Sequence, residues 1–272
     1  YNEHFYEFQT AYVAQRDEMN KTLKETGISL NQKYKRTARK IAVLPDTVTF
    51  DMIKDKVNNI NNVPVGFSKN EKDVFLYDFG INSVTPILSK NISDKINFIK
   101  SICMEMKNLE NTNITVIDAL NLWNDYLNDV TVYNNNFDTV LVSVIKEINK
   151  EQDSTMRVFI LIGFSKFREQ ISEQYIQYFN SLMDNITKFK KSKLLIFDNY
   201  DSFKNLQIEN WYQDVFSQEY GIWLGEGANE QILLNFDKLS MQELNDQFSY
   251  IGFVTQGTTD TIIKYVIDEE GD

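Results

Sequence analysis

Two short runs constrain this chain more than anything else in it: Val158–Ile162 (VFILI) and Leu194–Phe197 (LLIF) are apolar at every position. Side chains of a strand point alternately to its two faces, so a run with no polar position must be covered on both. A helical pattern with Phe137, Val140, Leu141, Val144 and Ile148 on one side precedes the first run. Between the two runs the spacing predicts the longest helix of the chain, with Ile171, Tyr175, Tyr178, Leu182, Ile186 and Phe189 inward. With a further β-rich run at Ile114–Ile117, this strand–helix alternation predicts an α/β fold, a mainly parallel sheet with helices on both faces. At 272 residues the chain is long enough to bury such a core.

The flanks extend the same reading. Lys40–Leu44 (KIAVL) is expected to form a strand stopped by Pro45, followed by a helix carrying Phe50, Ile53, Val57 and Ile60. Pro64–Phe67 and Val74–Phe79 read as strands joined by the polar turn Ser68–Lys72, and Pro86–Leu88 as another. The next helix places Ile96, Ile99, Ile102, Cys103 and Met106 on one face, with Ser93 positioned to cap it. A loop or short helix is expected around Trp123, a helix around Trp211 and a short strand at Ile222–Leu224. Phe248–Thr255 and Thr261–Ile267 flank a turn containing Gly257, which predicts a β-hairpin. Residues 36–272 read as one domain and residues 1–35 as an N-terminal helical extension. There Tyr1, Phe5, Phe8 and Tyr12 make one aromatic face, which packs either on this domain or on a preceding one. The chain begins with Tyr1 rather than Met, as a segment of a longer protein would.

The segment from Thr85 to Met106 runs from strand through polar loop into helix, the layout of a phosphate-binding loop. Against the pattern G-x-x-x-x-G-K-[ST], the window is Ser89, Lys90, Asn91, Ile92, Ser93, Asp94, Lys95 and Ile96, and only Lys95 agrees. Glycines let backbone amides close around phosphates, and the hydroxyl holds magnesium. Asp94 instead brings a negative charge, and Ile96 has no donor for a metal. Lys95 has two readings: a residual contact to β/γ-phosphate oxygens, helped by the helix N-terminus, or a surface lysine in a first helical turn. The candidate nucleotide-binding residues are therefore Ser89, Asn91, Ser93, Asp94, Lys95 and Ile96, as a weak, degenerate loop. No catalytic residue and no metal ligand is assigned.

A second motif fails in the same way. An ATPase strand downstream of the loop should end in an acidic pair that orders magnesium and polarises water. VFILIGF ends instead in Ile162–Gly163 or Gly163–Phe164, by either register. Asp118 and Asp198 each end an apolar strand, where ligands of open α/β sheets gather, and are equally able to cap the following turn. The glycines of Ile222–Gly227 (IWLGEG) fit a tight turn.

Composition excludes several functions. There are 28 basic and 39 acidic residues, a net charge of −11, which argues against nucleic acid as a partner. The densest basic run (Lys33, Lys35, Arg36, Arg39, Lys40) reads as a solvated linker. His4 is the only histidine, which removes His-based metal sites and triads. Cys103 is the only cysteine, so no disulfide forms within the chain, as suits a reducing compartment. No apolar run approaches the roughly 18 residues of a membrane span, and no signal peptide is visible.

Several segments, taken in order, carry a family resemblance. RKIAVLPD (Arg39–Asp46), VPVGF (Val63–Phe67), DKINFIKSI (Asp94–Ile102), LIGFSKF (Leu161–Phe167), GIWLGEG (Gly221–Gly227) and the hairpin Gly252–Phe253, Gly257, Ile263–Lys264 resemble the FtsK/SpoIIIE-type ATPase domains at the C-terminus of EssC, the coupling ATPase of type VIIb secretion. DKINFIKSI resembles the family's Walker A helix and LIGFSKF its Walker B region, with Ile96 and Ile162 where the magnesium hydroxyl and the aspartate belong. The resemblance covers about Arg36 to Ile267. It implies a RecA-like fold, in the cytoplasmic part of a membrane-anchored parent with ATPase modules in tandem. The implied partners are secreted WXG100-type proteins, the neighbouring ATPase domain and other membrane components of the secretion system. ATP and magnesium are implied as weakly bound at most, since of the family's nucleotide residues only Lys95 transfers. The expected function is a degenerate module for substrate docking and regulation of export. The alternative is an active ATPase completed by a neighbouring domain or subunit. Surplus aromatics, among them Trp211 and Trp223, are candidates for a docking patch or for the core.

Overall fold

The computed structural model describes residues 18–34, 43–54, 56–123, 130–150 and 154–266. The chain divides into two units, Tyr1–Ala42 and Val43–Asp272. The first contributes helix α1 (Met19–Tyr34), whose Leu23, Ile28 and Leu30 are exposed. The aromatic face expected at Tyr1, Phe5, Phe8 and Tyr12 lies outside the described residues. So does most of the basic cluster, and so do residues 40–42 of the strand expected at Lys40–Leu44; Val43 and Leu44 belong to no strand.

The second unit is built on one sheet of ten strands. In chain order these are β1 (Val63–Ser68), β2 (Val74–Tyr77), β3 (Val84–Ser89), β4 (Thr112–Asp118), β5 (Thr131–Tyr133), β6 (Met156–Ile162), β7 (Ser192–Asn199), β8 (Tyr220–Leu224), β9 (Ile251–Gln256) and β10 (Thr259–Lys264). Their spatial order is β2-β1-β10-β9-β8-β3-β7-β6-β4-β5. The six strands from β8 to β5 are mutually parallel, and the other side, including the β9–β10 hairpin, is antiparallel. The strand β3 therefore sits inside the parallel half, between β8 and β7, and β7 separates it from β6.

The helices of this unit are α2 (Phe50–Ile53), α3 (Ile96–Met106), α4 (Phe137–Ile148), α5 (Phe164–Gln170), α6 (Glu173–Asn185), α7 (Tyr200–Lys204), α8 (Tyr212–Val215) and α9 (Met241–Leu244). Strand periodicity sorts the core into two layers. Val158, Ile160 and Ile162 of β6 join Leu195 and Phe197 of β7 and the buried face of α3: Phe98, Ile99, Ile102, Cys103 and Met106. Phe159 and Leu161 join Leu194 and Ile196 in the opposite layer, under α4, α5 and α6. All-apolar strands are thus what a sheet covered on both faces requires. Burial pushes the Cys103 thiol up to about 12, so it is an inert part of the core.

Several expectations are corrected. The long helix after β6 is broken: Ile171 turns extended, and Asp138 of α4 accepts bonds from the Ser172 N–H (2.9 Å) and hydroxyl (2.7 Å), fixing a new helix start. Of the expected inward positions, Ile171 and Ile186 are buried, and Tyr175, Leu182 and Phe189 pack partly buried against the same core. Phe179 and Met183 are the buried residues of α6, while Tyr178 is 58% exposed. The helix expected through Ile60 stops at Ile53, where Lys54 turns extended with ψ of 154°; further on, Asn59 Oδ1 accepts from Asn61 N–H at 2.8 Å. Ser93 does not cap α3. It opens a 3-10 turn, Ser93–Lys95, and neither that turn nor α3 has a side-chain cap. Trp211 and Trp223 are buried core residues, not members of an exposed patch. Among the described residues no helix is long and apolar enough to cross a membrane.

Candidate functional site

Because β3 is a central parallel strand, the loop that leaves it opens at the carboxyl rim of the sheet, where open α/β folds gather ligands. The residues there are Ser89, at the end of β3, then Lys90 to Ile92, the turn Ser93–Lys95, and Ile96 at the start of α3. All six residues singled out from the motif lie on this one segment. Lys95 Nζ is 2.7 Å from Asp94 Oδ2, and its side chain is only 16% exposed. The stem of Lys95 runs beside Gly225, where a Cβ would lie 3.3 Å from Lys95 Cε. Gly225 and Gly227 have φ of +85° and +87°, so the IWLGEG segment is the tight turn its glycines suggest.

The loop's hydrogen bonds are mostly internal. The Ser89 hydroxyl donates to Asn91 O (3.0 Å) and accepts from Asn91 N–H (3.3 Å). Ser93 N–H donates to Asn91 Oδ1 at 3.1 Å, and Lys95 N–H to Ile92 O at 3.0 Å. A backbone bond also reaches outside the loop: Ile92 N–H donates to Oδ1 of Asn199 at 3.1 Å. Asn199 is the last residue of β7 and pairs in register with Ser89. Ile92 is fully buried, and Ile96 packs partly buried against the same apolar cluster. Lys90 reaches Glu230 at 2.6 Å, and that hydrogen bond raises its pKa.

The other strand ends are occupied differently from a magnesium site. Ile162 closes β6, fully buried, in register with Asp118 of β4 and Phe197 of β7. Asp118 is buried and ties down the next turn, accepting from Leu120 N–H (3.1 Å) and Trp123 N–H (2.6 Å). Asp198 accepts from Ser165 N–H (2.6 Å) and Asn199 N–H (2.8 Å). Burial holds the Asp198 carboxyl above the usual carboxylate range, and those hydrogen bonds only partly offset it. Both aspartates hold backbone, the capping alternative raised by their position. Among the described residues there is no group of three or more His, Cys, Asp or Glu side chains able to hold a metal.

Beside Lys95 lies an open cleft of about 720 Å³, lined by Asp94, Lys95, Gly225, Glu226, Tyr250 and Tyr265 among others. Burial pushes the Tyr265 hydroxyl pKa up, and the nearby Asp94 carboxylate adds to the effect. Sequence reasoning missed Asn199, Glu226, Tyr250 and Tyr265, since these converge on the loop from other segments and share no spacing with it. Asn199 was the one with a signal, as the neighbour of an aspartate already marked at a strand end.

No protein-family model matches the chain, and no curated protein matches its sequence. Solved structures match it. The cytoplasmic domain of EssC aligns with a TM-score of 0.64 at 15% identity, over 94% of this chain and 54% of that one. EssC ATPases 2 and 3 from Geobacillus thermodenitrificans give 0.70 at 14% identity, over 94% and 51%. EccC ATPases 2 and 3 from Thermomonospora curvata, in complex with a signal sequence peptide, give 0.62 at 12% identity, over 94% and 50%. The chain spans about half the length of these structures. A mixed, mostly parallel sheet with a C-terminal antiparallel hairpin is thus common ground. This chain has the RecA-like, FtsK/SpoIIIE-type fold of the EssC and EccC cytoplasmic ATPase domains.

Proposed function

We propose that this chain is a degenerate ATPase module of a type VII secretion ATPase, used to recognise secreted WXG100-type substrates and to regulate export, with at most weak ATP binding. The observation that carries the reading is the pair of apolar side chains, Ile96 and Ile162, where magnesium would need a hydroxyl and a carboxylate. Neither offers a donor, and both belong to the apolar layer under α3. The residues present therefore do not fit a magnesium ion, and no hydrolytic step is assigned to the module. Substrate recognition is supported by the fold shared with EccC, whose ATPases 2 and 3 were solved with a signal sequence peptide. The proposed setting is the cytoplasmic side of a membrane-anchored parent, beside a neighbouring ATPase domain and other membrane components of the system. Residues 36–272 would form the module and residues 1–35 a segment joining it to what precedes. Nucleic acid is not among the proposed partners, in keeping with the charge of −11.

The test is a calorimetric titration of the purified chain with C-terminal signal peptides of candidate WXG100-type proteins, with and without Mg-ATP, alongside an ATP turnover assay. Saturable peptide binding that is the same with and without ATP, and turnover at background, are expected. Hydrolysis well above background that disappears in Lys95→Ala would instead establish an active module completed from outside. Absence of binding to every such peptide would remove the recognition role.

A further inference from the structure

A phosphate in such a loop is held by backbone N–H groups near the start of the helix and by the lysine ammonium. In this chain three such donors already have side-chain oxygen partners. Asn199 Oδ1 takes Ile92 N–H (3.1 Å), Asn91 Oδ1 takes Ser93 N–H (3.1 Å), and Asp94 Oδ2 takes Lys95 Nζ (2.7 Å). We infer that Asn199, Asn91 and Asp94 form an internal ligand set that stands in for a phosphate, holding the loop closed without nucleotide. The inference rests on the proposed reading of this loop as a former triphosphate cradle and names what now fills it.

The three contacts do not weigh equally. The Asp94 carboxylate is 61% exposed, so its pair with Lys95 is screened and weak as a bond. Its larger effect is repulsion of an incoming polyanion. The Asn199 bond is the stronger latch, for two reasons. Ile92 is fully buried, so its N–H has no water to turn to once the amide oxygen leaves. And Asn199 is held from behind: its own N–H donates to the buried Asp198 carboxylate at 2.8 Å, on a strand paired in register with β3. A nucleotide entering the loop must displace this oxygen, break the Asp94–Lys95 pair and approach a carboxylate. Removing one such competitor should strengthen binding about five- to tenfold, the weight of one net hydrogen bond.

The experiment titrates a fluorescent ATP analogue into the wild-type chain and into Asn199→Ala, Asp94→Gly and the double variant. Amide hydrogen exchange of Ile92 is followed in the same proteins. Each single variant should bind about five- to tenfold more tightly than wild type and the double variant more tightly still. Ile92 should exchange faster in Asn199→Ala and regain protection when the analogue is added. Equal affinity across all four proteins would overturn the inference, as would an Ile92 amide whose exchange ignores Asn199. Should Asn199→Ala not fold, Asp94→Gly decides alone, because that side chain is exposed. ATP turnover by the wild-type chain would count against the degenerate-module reading. Unchanged affinities without turnover would count only against the internal ligand set.

Discussion

Ile162→Asp places a carboxylate at the end of β6, and the structure predicts that it costs stability without conferring activity. The side chain at 162 is fully buried in the apolar layer shared with Phe98, Ile99 and Ile102 of α3. Losing the isoleucine from that layer costs about 2–3 kcal/mol of apolar burial. An aspartate there finds no partner; its nearest register neighbours are Phe197 and Asp118, the latter already a buried carboxylate accepting two amides. An unsatisfied buried polar group adds about 1–3 kcal/mol even when neutral, and a charged one more. The sum, about 3–6 kcal/mol, is a large part of the 5–15 kcal/mol typical of a domain. Such a carboxyl keeps its proton to higher pH than it does unfolded. Above the unfolded value of about 4, the folded variant thus holds more protons, and its stability falls as pH rises until the folded pKa is passed. The assay is equilibrium urea unfolding between pH 6 and 8, with Ile162→Val and Ile162→Asn as controls. Valine should cost about 0.5–1.5 kcal/mol. Asparagine has the same polarity without the titration, so its deficit should not change with pH. An aspartate variant within about 1 kcal/mol of the valine variant at pH 7, or one that gains magnesium-dependent turnover, would refute the packing argument.

Two further outcomes follow from other parts of the sheet. Gly66 has φ of +148°, and a Cβ there would lie 2.4 Å from the backbone oxygen of Lys264, so Gly66→Ala should cost about 2–4 kcal/mol in urea unfolding; an unchanged midpoint would contradict the close approach of β1 and β10. Burial raises the Asp198 pKa, so its contribution to stability declines as pH rises from about 4 through the folded value. Asp198→Asn abolishes that titration while losing an acceptor for one buried amide, at about 1–3 kcal/mol. The stability of wild type relative to this variant should therefore fall with rising pH in that window, and a rise would refute the assignment.

What could be read from the chain was whatever its local pattern determines. The unbroken apolar runs of β6 and β7 have no solution except burial on both faces, and all five inward positions read for α4 are buried. The break before α6 was not legible, because it depends on Asp138, 34 residues away from the serine it holds. The edge strand β5 was missed as well: it is three residues long with two exposed, and its pairing with β4 rather than its pattern makes it a strand. The loop after β3 could be located from Lys95 and the layout around it. Its closure could not, since the oxygen on Ile92 N–H comes from 107 residues downstream and nothing in the spacing links the two.

Ile96 and Ile162 read in sequence as two separate losses of one ion site, but in the fold both pack into one apolar cluster, Ile162 within it and Ile96 against it. A lone hydroxyl or carboxylate placed at either position would be left unpartnered among apolar side chains. That burial is why Ile162→Asp is expected to lower stability rather than confer hydrolysis. On the proposed reading of the loop, the buried Ile92 N–H still needs an acceptor, and Asn199, its own N–H held by Asp198, supplies one.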